Sequence, residues 1–496
     1  MEDHFGKKWQ ILFAISIGTI MVPINASIVN VSLPTIATYF GASITAVEWV
    51  LTAYLITLLG MVLFFGRVGD FIGHERVYLI GLVGFAVTSI LCSTATSLPA
   101  LEVFRGMQGI TAAMMLAVSL GIVKNSFPKH QLGKSLGIYS VAIAAGLALG
   151  PAIGGILEGV LGWRFIFLIN VPIAIISFII CYRVLVRSEP KQVKWDIPGT
   201  VLQFSCLFSV VYLLNYIGGG VNTTAILIAV FSIITLTLFI WNELHVKNPL
   251  LNLNIFKNKI FSAFDLSLHF NYICMYMIFF IMPFYLQKVL HLGPSFTGLV
   301  LSTSPLIMMI LAPISGILSD RFGSRSLAFI GSIISALALL SLTQLNMFST
   351  VGDVLWRLAL LGVGAALFQS PISRALMSNT PSGESGVASS IIVTTRNLGM
   401  VFAVCFAGIL LNTAISPVLL QQSQLFNLAA YNFTTGMHRV VLLGAILSVM
   451  MAGLSLIGFN KYGTIVEDAE NIVKKQRIIL EKRVSKQIHQ ISMVFK

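Results

Sequence analysis

The sequence predicts an all-α membrane protein of about fourteen spanning helices in a 6 + 2 + 6 arrangement, produced by internal duplication. Three observations predict it. Hydrophobic residues make up 56% of the 496 positions, charged residues only 10%, and the mean hydropathy is +0.91, so a water-soluble chain of this size would lack the polar surface to cover itself. The apolar residues fall into runs of roughly 20, the length that crosses a bilayer as a helix. The stretch GRVGDFIGHER at residues 66–76 returns in looser form as GILSDRFGSR at 316–325, each copy between two long apolar runs. A glycine-rich, charged elbow at matching places in two halves marks a duplicated membrane protein of the transporter kind.

The runs lie in order at 9–31, 46–66, 76–96, 101–123, 135–157 and 164–186, then 197–217 and 223–244, then 261–287, 296–318, 325–345, 354–373, 385–412 and 437–459. This divides the chain into a six-helix bundle (1–190), an inserted hairpin with its linker (191–247), a second six-helix bundle (248–460) and a basic tail (461–496). The first run is long enough to span and has no small-residue cleavage site after it, so it is retained. From Ile465 the tail alternates aliphatic with basic residues at helical spacing; it is either an amphipathic helix on the inner leaflet or a solvated cytoplasmic one.

An even number of spans puts both termini on one side. If Lys7 and Lys8 are cytoplasmic, about 25 of the 31 basic residues fall on that side, which is the positive-inside bias of a cell-membrane protein with both termini in the cytoplasm. The net charge of +13 then reports orientation, and nucleic acid has no place among the partners. The five cysteines all fall within apolar runs and read as small buried hydrophobes.

Further patterns follow in chain order. Residues 25–34 read NASIVNVSLP, with Asn25 and Asn30 in the first span. Within the elbow, glycines permit a tight turn, and Asp70 can cap a helix start while pairing with Arg76. Residues 101–109 read LEVFRGMQG and put Arg105 inside an apolar run, where an arginine is costly unless it meets protein, water or a counter-charge. Arg105 and Gln108 share a helical face with Gly109, Ala112, Leu116 and Ser119; they look into a cavity, or Arg105 bonds only to packing carbonyls. Gly146, Gly150, Pro151, Gly154 and Gly155 combine small residues for close helix approach with a ladder-breaking proline. WRFIFLINVP at 163–172 and MPFYLQ at 282–287 complete the set.

Together these motifs resemble the fourteen-span drug/proton antiporter family of the major facilitator superfamily, over nearly the whole chain to about Phe459. The resemblance implies a major facilitator fold working by alternating access. It makes Gly66, Asp70, Gly73 and Arg76, with Asp320 and Arg321 of the second copy, a conformational latch. It makes the 146–155 glycines an antiporter motif, and it adds Arg396 and Asn397 of span thirteen to a substrate cavity that also takes in Asn25, Asn30, Arg105 and Gln108, with Tyr272 and Tyr276 of span nine. Two departures matter. Phe71 and His74 stand where basic residues are usual in the elbow, and Asn25 stands where many relatives carry aspartate. Asparagine cannot exchange a proton near neutral pH, so a coupling proton needs another carrier.

Span nine offers one. Asp265, His269, Tyr272 and Tyr276, spaced i, i+4, i+7 and i+11, form one polar stripe on an otherwise apolar helix, and Asp265 is the one acid clearly within a predicted span. The alternative is that Asp265 snorkels to the interface near Lys259. No phosphate loop is present, because Pro128 occupies the position of the first glycine before Gly133-Lys134-Ser135, and no metallohydrolase or nucleophile-elbow motif occurs. The chain is therefore expected to be neither an enzyme nor a cofactor or metal protein. It is expected to be a secondary transporter that works as a monomer in the bilayer and exports amphipathic small molecules or drugs against protons. The alternatives are a narrower exporter of an endogenous anionic or lipid-like metabolite, an uncoupled facilitator, or a membrane sensor.

Overall fold

The structure, a computed structural model, describes residues 8–185, 196–217, 222–246, 250, 253–379, 385–413 and 426–457. The basic tail and the linker near 191 lie outside the described residues. Fourteen helices are long and apolar enough to span a bilayer, and no strand occurs among the described residues. They are α1 (Lys8–Phe40), α2 (Trp49–Ile72), α3 (His74–Ser93), α4 (Leu98–Ser126), α5 (Lys129–Leu161), α6 (Asn170–Val184), α7 (Ile197–Ile217), α8 (Thr223–His245), α9 (Lys259–Phe284), α10 (Thr303–Phe322), α11 (Ser324–Leu342), α12 (Val351–Ser378), α13 (Ser385–Asn412) and α14 (Phe426–Ser455). Short helical segments lead into several of them, among them Ile44–Val47 before α2 and Pro294–Leu301 before α10. All five cysteines are buried and free.

The duplication is visible in the packing. In the first set α1 pairs with α5 and α6, α2 with α4, and α3 with α4 and α6. In the second, α9 pairs with α13 and α14, α10 with α12, and α11 with α12 and α14, the same scheme displaced by eight helices. Both elbows turn on a left-handed glycine between consecutive helices, Gly73 at φ +106° and Gly323 at φ +80°, a conformation that L side chains rarely adopt. The inserted pair α7 and α8 pack on each other, and α7 also lies across α2 and α13, one helix from each set. The outward face of α8 is a continuous aliphatic and aromatic surface, including Ile226, Leu227, Phe231 and Trp241, as lipid contact requires.

The two sets meet along two seams, α5 against the Pro294–Leu301 segment and α10, and α2 against α13, with α1 facing α9 between them. From the middle of α1 to the end where it terminates, the seam is closed by hydrogen bonds. Tyr276 Oη donates to Ala26 O (2.8 Å), Gln287 Nε2 to Val31 O (2.7 Å), Lys288 Nζ to Thr38 Oγ1 (2.5 Å) and Ser295 Oγ to Gly155 O (3.2 Å).

Several helices outrun their apolar runs. The predicted span 135–157 stops before Glu158, yet α5 continues through it to Leu161, with Ser32 donating to one carboxylate oxygen of Glu158. Asp265 is thus not the one acid within the spanning helices; Glu158, and Glu48 at the head of α2, are buried more completely.

Candidate functional site

Two groups of polar residues stand in the membrane interior, one in each half. The first is built on Arg105 of α4. Its side chain is fully buried, its guanidinium lies over the Tyr54 ring at 4.2 Å, and its Nε donates to Val50 O at 2.8 Å. Its Nη1 donates to Gln108 Oε1 at 2.6 Å and to Asn25 Oδ1, and Gln108 Nε2 passes the chain on to Ser89 at 2.8 Å. No carboxylate forms an ion pair with Arg105 among the described residues. An arginine at the membrane centre costs about 2.5–3.5 kcal/mol. Each hydrogen bond from a charged donor returns about 1.5–3 kcal/mol, and a desolvated cation–π contact about 2, so this shell offsets much of the cost, while Nη2 is buried without a hydrogen-bond partner. Arg105 thus bonds one backbone carbonyl and two side-chain amides, Asn25 and Gln108. Asn25, Asn30, Arg105 and Gln108 have no exposed surface, so none of them lines an open cavity in this arrangement.

The second group is the span-nine stripe, whose residues lie on one face of α9 over a rise of roughly 16 Å. Asp265 Oδ1 accepts from Thr395 Oγ1 at 2.8 Å, and the His269 ring meets Thr395 O at 3.2 Å. A carbonyl only accepts, so Nδ1 of His269 carries the hydrogen and Nε2 is left to exchange one. Thr395 of α13 therefore joins Asp265 and His269, a role with no sequence signal beyond its place next to Arg396. The contact is close because Gly399 lacks a side chain: a Cβ there would stand 2.7 Å from Tyr272 Cβ. Asp265 is directed at α13 and makes no ion pair with Lys259. Further along, Gln369 Nε2 donates to Tyr272 Oη (2.5 Å), and Arg396, half-buried, is within electrostatic reach of both Tyr272 and Tyr139. Tyr276 ends the stripe by crossing to α1, where Asn30 Nδ2 approaches its hydroxyl at 3.4 Å. Asn397 is buried on α13.

The glycines of α5 divide between two neighbours. Cβ atoms at Gly146, Gly150 and Gly154 would press on α1, at 2.9 Å from Ile20 and Pro23, 3.0 Å from Ser27 Cβ and 3.0 Å from Ile28 O. One at Gly155 would stand 2.9 Å from Gly298 Cα, across the seam, beside Pro151. The elbow differs from the sequence expectation in one contact. Asp70 is paired with His74 Nε2 at 3.2 Å, and Arg76 is exposed on the next turn. His74 starts α3 one turn beyond Asp70, whereas two further residues carry Arg76 round to the other face. Asp70 does not cap α3; its N-cap is Gly73. Gly66 is in open space, Arg321 is exposed, and the side chain of Asp320 lies outside the described residues.

A duplicated six-helix scheme, an inserted pair and a glycine-lined seam are what the family comparison addresses, and the Major Facilitator Superfamily profile matches residues 15–404. The chain belongs to the Major Facilitator Superfamily. It is therefore a multi-pass membrane transporter and not an enzyme. Among relatives in this superfamily it is 32% identical over 402 residues to a riboflavin transporter of Clostridioides difficile, covering 81% of this chain and 87% of that protein. It is 30% identical to the tetracenomycin C resistance and export protein of Streptomyces glaucescens (83% and 78% covered). It is 29% identical to the multidrug resistance protein Stp of Mycobacterium tuberculosis (82% and 76%). Among solved structures, the inward-facing bacterial homologue of the human lysosomal transporter Spinster shares the superfamily fold, with a TM-score of 0.67 at 13% identity over 91% of this chain and 96% of that one.

Proposed function

We propose that this transporter exports amphipathic small molecules from the cell by antiport against protons, with both termini in the cytoplasm. The orientation follows from the positive-inside distribution, and it makes the end where α1 terminates the outer end, closed here. Alternating access is rocking of the two six-helix bundles about the α1–α9 contact, with α7 and α8 as a lipid-facing attachment. The tetracenomycin and multidrug names of two relatives support a cargo of this kind.

The observation that carries proton coupling is the Asp265–Thr395–His269 group. It is half-buried, linked to α13, and has no fixed cation bonded to the carboxylate, so taking up and releasing a proton is the chemistry this arrangement suits. Asn25 cannot do this, and it serves as the acceptor that holds Arg105. A second reading, a narrower anionic or flavin-like cargo, is favoured by Arg105 lacking any carboxylate partner and by the riboflavin transporter among the relatives. Transport of a panel of lipophilic cations, anions and riboflavin in reconstituted vesicles, with and without an imposed pH gradient, decides between them. Broad gradient-driven movement of cationic and neutral compounds supports the multidrug exporter, and movement of riboflavin or anions alone supports the narrower one.

A further inference from the structure

Two acids in the closed outer end are used by nothing described so far. Glu158, near the end of α5, is 5% exposed; its Oε2 accepts from Ser32 Oγ at 2.6 Å and its Oε1 is buried without a hydrogen-bond partner. It sits between two contacts that cross the seam. Thr35, one turn beyond Ser32, lies 3.5 Å from Gln287, and Gly155 and Gly159, on either side of Glu158, meet the Pro294–Leu301 segment. Glu48, at the head of α2, is 1% exposed, and its Oε2 also lacks a partner. It is seated on α13 against the bare backbone of Gly408, where a Cβ would come within 2.9 Å of its carboxyl carbon. One acid therefore stands at the outer end of each seam, α5 with the α10 side and α2 with α13, and both belong to the N-terminal half.

The groups facing them are few. Around Glu158 they are Ser32 and Thr35, with Lys288 held by Thr38 a turn further out. Around Glu48 they are the Cys405 thiol, which Asn215 of α7 meets at 3.6 Å, and the neighbouring Trp49–Tyr212 pair. No cation lies within ion-pair distance of either acid among the described residues. Burial of a carboxylate without a counter-charge costs several kcal/mol, and a neutral carboxyl avoids most of that cost.

We propose that Glu158 and Glu48 are proton-binding sites of the outer gate: the two seams close on the protonated carboxyls, and parting the halves hydrates and ionises them. Protons from the outside then favour closing of the outer end, which is the return step that an exporter driven by an inward proton gradient needs. This rests on the proposed orientation and on proton coupling, but the gate protons go back to the side they came from and are distinct from a proton carried by Asp265.

The test is a distance between spin labels at Thr96→Cys and Phe348→Cys, exposed outer-loop positions of the two halves, in detergent-solubilised protein from about pH 5 to pH 9. The parent should pass from a short, closed distance to a long one as pH rises, the closed-to-open ratio falling by up to about tenfold per pH unit for each proton bound. Glu158→Gln and Glu48→Gln should each flatten that dependence, and the double variant should stay closed throughout. In an Asp265→Asn background the two glutamine substitutions should still flatten whatever pH dependence of this distance remains, which separates failure of the gate from failure of the antiport reading. Glu158→Asp, which keeps the acid, should keep a titration. A double glutamine variant that opens with pH as the parent does, or a parent that does not respond to pH, overturns the proposal.

Discussion

Arg105 shows how a charge can be kept inside a membrane helix bundle without an acid. Its fork is divided among a backbone carbonyl on α2, an amide on α1 and an amide one turn along α4, with an aromatic face beneath it. A lysine ammonium is a compact point charge and cannot serve those three directions together. Arg105→Lys should lower stability by roughly 2–4 kcal/mol, seen as earlier thermal unfolding in detergent, because Val50 O, Asn25 and Gln108 compete for one donor group. Asn25→Asp is expected to act in the other direction. It places a carboxylate on the guanidinium and turns an uncompensated buried charge into a pair, so thermal unfolding should come later, by an amount corresponding to about 1–3 kcal/mol. Because it also supplies an acid in the first span, it should partly restore gradient dependence to a variant that has lost Asp265.

At the scale of elements, the glycines of α5 do two separate jobs that their spacing does not distinguish. Gly150 faces Ser27 of α1 inside one bundle, and Gly155 faces Gly298 in the other. Gly150→Leu should therefore destabilise the N-terminal bundle by about 1–3 kcal/mol or more and abolish gradient-driven export. Gly155→Leu should leave thermal stability nearly unchanged yet hold the outer seam apart, measured by reagent access to a cysteine placed at Thr35. The elbow pair is weaker: Asp70 and His74 are partly exposed and four residues apart, worth about 0.3–0.5 kcal/mol, so Asp70→Asn should shift access between the two sides by no more than about threefold. The helices and the duplication were legible in the sequence because a bilayer demands long apolar runs and because the elbow repeats in residues. Glu158 was not, since the predicted span 135–157 stops one residue before it. Thr395 was not either, since the α9–α13 contact that makes it a hub is a matter of tertiary packing. His74 stands where a basic residue is usual in the elbow, and the structure makes it the partner of Asp70 in place of Arg76.

For the whole molecule, the pairing scheme repeated after eight helices gives two six-helix bundles, and the hydrogen bonds to the last part of α1 from the extension of α9 close them at one end. In the antiport proposed above, the alternation of those bundles depends on a proton, and the span-nine acid, bonded to Thr395, is the exchangeable group we propose within the C-terminal bundle. The most direct measurement is uptake of a transported compound into inside-out vesicles or proteoliposomes under an imposed pH gradient, comparing the parent with Asp265→Asn and His269→Gln. Asp265→Asn should bind substrate and equilibrate it downhill but fail to concentrate it when the gradient is applied, and His269→Gln should move the pH dependence while keeping concentrative transport. If Asp265→Asn concentrates substrate as well as the parent and with the same pH profile, Asp265 is not the coupling site and the proton path through span nine is wrong.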